Sequence, residues 1–300
     1  MTIAVTPFDG FCGFRPLQQI ASFLGHVPEL RSLVGEAEAD DFVRTVAAAQ
    51  DQAADSSDPQ VVSRNKAALK ALFTALMKAP EPRIQQLTAA LAASARASPA
   101  TFGGPEYGGS QLAELLLRLD AQFPGDIGLF CALFLNYVTL QPGEAIFLQA
   151  NDPHAYLSGD VVECMAASDN VVRAGLTPKF KDVDNLVNML TYSYAPIEAQ
   201  KMKPVPWGKA DGNGTTILYD PPIDEFAVAR TELPAGAAET FEPVQGPSLV
   251  LVTEGSGTIG VGPKTELLAS GLIFFVGATA RLRISAGPEG LVAFRAFCEL

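Results

Sequence analysis

Two histidines serve the whole 300-residue chain. His154 lies in QPGEAIFLQANDPHAYLSGD, after an apolar run and an Asp-Pro turn. A histidine at a strand edge beside proline can present a neutral imidazole nitrogen to a barrel interior as a metal ligand. A plain hydrogen bond is the ordinary alternative. Zinc needs four donors, or three and a water, from His, Cys and carboxylate, and no second histidine is near. His26, in ASFLGHVPEL, reads as a cation at a helix C-terminus.

Past His154 a polar cluster sits in an apolar frame: Asp160, Glu163, Ser168, Asp169, Asn170, Arg173, Thr177 and Lys179. Glu163, in VVECMAA, shares a strand face with Val161 and Met165. A carboxylate among apolar neighbours can act as a proton carrier. Pairing with Arg173 is the competing reading. Arg173 could clamp a phosphate or stabilise a developing oxyanion. With Lys179 it stands out in a chain of net charge -12. Such local cations suit a small anionic molecule, and Asp169 lies between them and Glu163 as a further pocket candidate. The overall acidity argues against nucleic acid as a partner.

The remaining reactive residues read as structural. Cys12, Cys131, Cys164 and Cys298 have no CxxC spacing and no histidine close in sequence. They point to a reducing compartment rather than a disulfide framework. GSGTIGVG at 255–262 lacks GK[ST] and a following helix, so it reads as a hairpin turn rather than a phosphate loop.

These residues need a frame. At roughly 100–200 residues per domain, the length predicts two or three domains. With 48% hydrophobic residues the chain can bury a sizeable core. A strand and turn occupy the start. From Arg15 to about Phe123 apolar residues recur at helical spacing. Leu17, Ile20, Phe23 and Leu24 mark one helix, and Phe42, Val43 and Val46 a second. Asp58-Pro59 opens a third, Ile84 to Ala95 forms a fourth, and Gln111 to Gln122 a fifth. After Pro124-Gly125, IGLFCALFLNYVTL, AIFLQA, AYLSGD and VVECMAAS read as short strands between turns. Asp182 caps a helix to Tyr192. The stretch 195–214 reads as a linker. From Thr215 onward, evenly spaced short strands suggest a sandwich or jelly roll. No export signal or membrane span is visible, so a cytoplasmic protein is expected.

The stretch PGDIGLFCALFLNYVTLQPGEAIFLQANDPHAYLSGDVVECMAASDNVVRAGLTPKFKDV closely resembles the signature region of type I mannose-6-phosphate isomerases. So does the opening, TPFDGFCGFRP, with its helical block, and so does the tail around ILYDPPIDEFAVARTEL. The resemblance covers essentially the whole chain. It implies a mixed α and β fold: cupin-type jelly-roll domains with an inserted all-α domain. It implies a strand remnant of the catalytic cupin over 1–13, the helical domain over 14–124, and the latter part of that cupin over 125–194. After the linker, a C-terminal cupin-like domain spans 215–300. The implied reaction interconverts mannose 6-phosphate and fructose 6-phosphate through a cis-enediolate, feeding GDP-mannose synthesis.

By the same resemblance His154 matches a zinc ligand, Arg173 the active-site arginine of a VRAG motif, and Glu163 a pocket carboxylate and candidate proton carrier. Lys179 and Asp169 are implied at the substrate phosphate or pocket. The family's other zinc ligands, a Gln and a His in QxH and then a Glu, precede the TPFxGxCGFRP motif, before the position of Met1. The resemblance therefore implies one zinc per complete enzyme, an incomplete site over these residues, and little or no turnover. A sugar-phosphate-binding module or a bare scaffold are the alternatives. A monomer is expected, with a small sugar phosphate as partner and no membrane.

Overall fold

The computed structural model describes residues 1–48, 58–168 and 170–299. Helix-spaced apolar residues build a bundle from the first half of the chain. Leu17, Ile20, Phe23 and Leu24 form the buried stripe of α1 (Leu17–His26). Pro28 opens α2 (Pro28–Val34) at a position whose N–H would have no helical partner. Seven residues give too little pattern for the sequence periodicity to single α2 out. Gly35, at φ +98°, ends it and α3 (Glu36–Ala48) follows. At α4 (Pro59–Met77) the Asp58 carboxylate accepts the Gln60 N–H at 2.9 Å, a side-chain cap. Leu69, Leu72, Phe73 and Leu76 of α4 are buried where it packs on α2 and α3, in one core with α1, α5 (Glu81–Ala97) and α6 (Ser110–Gln122).

The run IGLFCALFLNYVTL behaves differently from its strand reading. It forms α7 (Gly128–Cys131), then a turn, and becomes strand only at Leu135. Leu129, Phe130, Cys131, Leu133 and Phe134 are all buried, so the run is apolar on every side. A short run of that kind carries no period with which to tell helix from strand.

Two small sheets face each other next to the bundle. In the first, β2 (Phe8–Phe14) lies between β3 (Leu135–Leu140) and β5 (His154–Ser158). In the second, β1 (Thr2–Ala4) lies between β4 (Ala145–Ile146) and β6 (Val161–Glu163). Ala4, Phe8, Cys12, Val138 and Ile146 pack between them. The register sets Cys12 opposite His154 and Thr2 opposite Glu163. The short helix α8 (Val183–Met189) starts on its Asp182 cap, as the sequence predicts.

Residues 195–214, read as a linker, carry β7 (Val205–Pro206) and β8 (Ala210–Gly212) and bury Trp207. The C-terminal sheet continues through β9 (Thr215–Tyr219), β10 (Ala227–Leu233), β11 (Ala238–Phe241), β12 (Ser248–Val261), β13 (Lys264–Ala269), β14 (Ile273–Val276) and β15 (Leu282–Phe297). All of its pairings are antiparallel, with β15 between β12 and β10. The glycine-rich stretch at 255–262 is mostly strand, which corrects the turn reading. It continues β12 through a bulge at Gly255, φ +74°, and the chain reverses only at Gly262. A Cβ at Gly257 would lie 2.1 Å from the Ser285 carbonyl oxygen, so close strand approach explains that glycine.

Among the described residues no helix is long and apolar enough to cross a membrane.

Candidate functional site

His154 opens β5, and its ring is fixed from behind. Nδ1 lies 2.9 Å from the backbone oxygen of Asp152. A carbonyl only accepts, so Nδ1 carries the proton and the lone pair is on Nε2. This is the arrangement by which proteins prepare a histidine as a metal ligand. The Asp152 carboxyl in turn accepts a hydrogen bond from the Thr191 hydroxyl. Burial raises its pKa, against the opposing effects of Thr191, Lys66 and His154. Helix α4 supports the segment that carries Thr191: the Asn65 side-chain amide donates to the Tyr194 hydroxyl at 2.9 Å, and Lys66 Nζ donates to Ser193 Oγ at 3.3 Å.

Glu163 ends β6 with an exposed side chain. Its Oε1 accepts a hydrogen bond from the Tyr156 hydroxyl, which also bonds Thr2 Oγ1. Burial, and then the Glu163 hydrogen bond, pushes the Tyr156 phenol well above its usual range, so it remains a donor. His154 and Tyr156 alternate on β5 and share a face, with ring centroids 6.1 Å apart. Tyr156 thus bridges the two sheets and links Glu163 of β6 to the strand that carries His154. The sequence reading passed over Tyr156, although the His-x-Tyr spacing in PHAYL was the available signal.

Arg173 is half-buried in irregular backbone. Among the described residues it makes no hydrogen bond or ion pair, so the alternative pairing with Glu163 does not form. Its neighbours Val172 and Ala174 pack against the helical core. Lys179 is exposed on the rim of a groove of about 590 Å³ between the helical block and residues 177–183. No contact joins Lys179 to His154 or Glu163. Asp169 lies outside the described residues. Burial pushes the thiols of Cys12 and Cys131 up to about 12, which leaves them poor nucleophiles at neutral pH.

A zinc ion is tested against this donor set. His154 offers one oriented imidazole nitrogen. Among the described residues no three His, Cys, Asp or Glu side chains come together. One donor does not hold zinc at useful strength, so the described residues do not by themselves fit the metal.

Facing sheets that carry a histidine and a carboxylate, with helices inserted between their strands, define a cupin-type protein with a helical insertion domain. Residues 33–135 match the family model "Phosphomannose isomerase type I, helical insertion domain", and residues 216–264 match "Phosphomannose isomerase type I C-terminal". The chain belongs to the type I mannose-6-phosphate isomerase family, a family of aldose–ketose isomerases. The mannose-6-phosphate isomerase of Aspergillus fumigatus is 51% identical over 100% of this chain and 68% of its own length. That of Saccharomyces cerevisiae is 46% identical over 100% of this chain and 68% of its own. A crystal structure of the Salmonella typhimurium enzyme, bound to fructose 6-phosphate and zinc, superposes with a TM-score of 0.75 at 26% identity. That match covers 100% of this chain and 66% of the Salmonella chain, so the chain spans about two thirds of these relatives.

Proposed function

We propose that this chain presents the sugar-phosphate side of an isomerase site for mannose 6-phosphate and fructose 6-phosphate. The observation that supports it most is the hydrogen bond from Tyr156, which shares a face of β5 with His154, to Glu163, in a chain 51% identical to a mannose-6-phosphate isomerase. The reaction moves one proton between C1 and C2 of the open-chain sugar through a cis-enediolate. Glu163 is the proton carrier, held in place by the Tyr156 hydroxyl. Arg173, a half-buried guanidinium with no hydrogen-bond or ion-pair partner among the described residues, balances charge developing on the substrate oxygen. Lys179 meets the phosphate, and Asp169 belongs to the same pocket. Mannose 6-phosphate so handled feeds GDP-mannose synthesis.

The Salmonella relative holds zinc, and His154 Nε2 is the donor this chain would offer to such an ion. The described residues do not complete the set, so no step is routed through the metal. The expectation is a chain that binds hexose 6-phosphates with little or no turnover. A coupled assay for fructose 6-phosphate with and without zinc, beside calorimetric titration with mannose 6-phosphate, tests both halves. Absence of sugar-phosphate binding overturns the reading. Turnover at the rate of a complete family enzyme overturns the low-turnover part. The single imidazole donor favours a second reading, a non-catalytic binding module. Under it, mannose 6-phosphate binds, Arg173→Met abolishes binding, and no concentration of zinc produces turnover.

A further inference from the structure

Among the described residues between β6 and α8, where Arg173 lies, there is no regular element, yet one carboxylate ties that segment down. Asp126 Oδ1 accepts the backbone N–H of Leu176 at 2.7 Å and that of Gly128 at 2.7 Å. Its Oδ2 lies 3.2 Å from Lys181 Nζ, and the side chain is only 10% exposed. Leu176 is a non-glycine residue at φ +56°, a left-handed conformation that persists only where its surroundings hold it. The backbones are in contact here. A Cβ on Gly175 would lie 2.7 Å from Gly128 Cα and 2.9 Å from Asp126 Oδ1. A Cβ on Gly128 would lie 2.8 Å from the Leu176 nitrogen. Just upstream, Val172 and Ala174 pack against the helical core, and Arg173 between them has no partner among the described residues.

We propose that Asp126 is the positioning residue for Arg173: by clamping Leu176 and Lys181 onto the start of α7, it sets where the guanidinium meets the sugar phosphate. This rests on Arg173 being a sugar-phosphate ligand, as proposed above. Asp126 itself touches no substrate. Two backbone N–H bonds and one ion pair converge on it, and it lies far from Arg173 in sequence. Its part is therefore invisible to any reading of the VRAG stretch alone.

The test compares wild type, Asp126→Ala, Asp126→Asn, Lys181→Met and Arg173→Met by titration with mannose 6-phosphate and by amide hydrogen exchange. Asp126→Ala is expected to weaken binding about tenfold, as small misplacements of a positioned group do. It also speeds exchange at the Leu176 amide. Asp126→Asn keeps an oxygen that accepts both N–H groups, so it should stay within about threefold of wild type with Leu176 still protected. Lys181→Met removes only the ion pair and should do the same, since a partly exposed pair contributes little. That rescue by Asn separates positioning by hydrogen bonds from a bulk electrostatic effect. Wild-type affinity in Asp126→Ala, beside a weakened Arg173→Met, overturns the proposal. So does an Asn variant as weak as the Ala variant. If wild type binds no sugar phosphate, or Arg173→Met binds as well as wild type, the site reading has failed. The clamp is then judged on exchange: unchanged protection of Leu176 in Asp126→Ala overturns it, and loss of protection only in Ala supports it.

Discussion

Asp9 shows how much a single side chain can join. Its carboxylate accepts hydrogen bonds from Arg118 of α6, Tyr137 of β3 at 2.7 Å and Ser158 of β5. Burial works to raise its pKa, but these three donors and the Arg118 charge outweigh burial and hold it below the usual 3.8. A carboxyl depressed in the folded state adds stability above its unfolded pKa and loses it as pH falls through the lower folded value. Urea unfolding of wild type and Asp9→Asn should differ by about 2 kcal/mol near neutral pH. That gap should close as the solution is acidified below pH 3.8. A gap independent of pH would mean that the ionised form is not what the network holds. Arg295 is the opposite case. It is 3% exposed, its Nε bonds Ser248 Oγ at 3.0 Å, and Nη1 and Nη2 have no hydrogen-bond partner among the described residues. Burial pushes its pKa down to about 10, although Trp207 lies against the guanidinium at 5.7 Å. A buried charge without full pairing is a net cost, so Arg295→Met should leave stability unchanged or raise it by about 1 kcal/mol. A loss above about 2 kcal/mol in the same assay would show that the guanidinium is satisfied after all. At this scale His154 and Glu163 were legible because their types are rare or out of place in their runs. Asp126 was not, because its partners are backbone N–H groups far along the chain.

Elements were legible where their pattern has a period. The stripes of α1, α4, α5 and α6 follow from apolar spacing, and α4 begins where Asp58-Pro59 says it should. The failures share one physical cause. Residues 127–134 and 255–261 lack an amphipathic period, the first because nearly all face the core, the second because glycines expose little side chain to pattern. What decides their structure is contact with partners distant in sequence. Gly175 gives the element-scale prediction. Its missing side chain lets Gly175 and Leu176 lie directly on the start of α7, and the two nearest atoms are backbone, which cannot rotate away. Gly175→Ala should therefore destabilise by about 2 kcal/mol, as overpacking does. The same change should raise exchange at the Leu176 amide, because the hydrogen bond to Asp126 must lengthen to make room. Equal stability of Gly175→Ala and wild type in urea would show that the segment moves freely.

Across the whole molecule, the sheet built on β1 packs against the outer face of the C-terminal sheet. Ile3 and Ala145 meet Tyr219, Phe226, Val228 and Phe294 in a core that neither part forms alone. Tyr219 is fully buried, and its hydroxyl donates to the Gly143 carbonyl at 2.6 Å. On β15 alternate residues serve two cores. Leu291, Ala293 and Phe297 point into the C-terminal domain, while Val292, Phe294 and Ala296 point at the site-bearing sheet. The β5 and β6 residues of the candidate site thus belong to a sheet pair whose other side rests on the C-terminal domain. That is the physical reason for that domain to stay folded against it, although it contains no histidine. Phe294→Ala empties the centre of this shared core and should cost about 3 to 5 kcal/mol by the usual large-to-small rule. Because the loss falls between two units that each keep their own core, it should appear as a change in cooperativity as well. Wild type should melt in one transition by calorimetry, and Phe294→Ala in two, the C-terminal domain remaining folded after the site-bearing part is lost. An exposed change on the same strand, Arg283→Ala, should leave a single transition. One transition in Phe294→Ala, merely shifted down, would show that the two parts are coupled through more than this core.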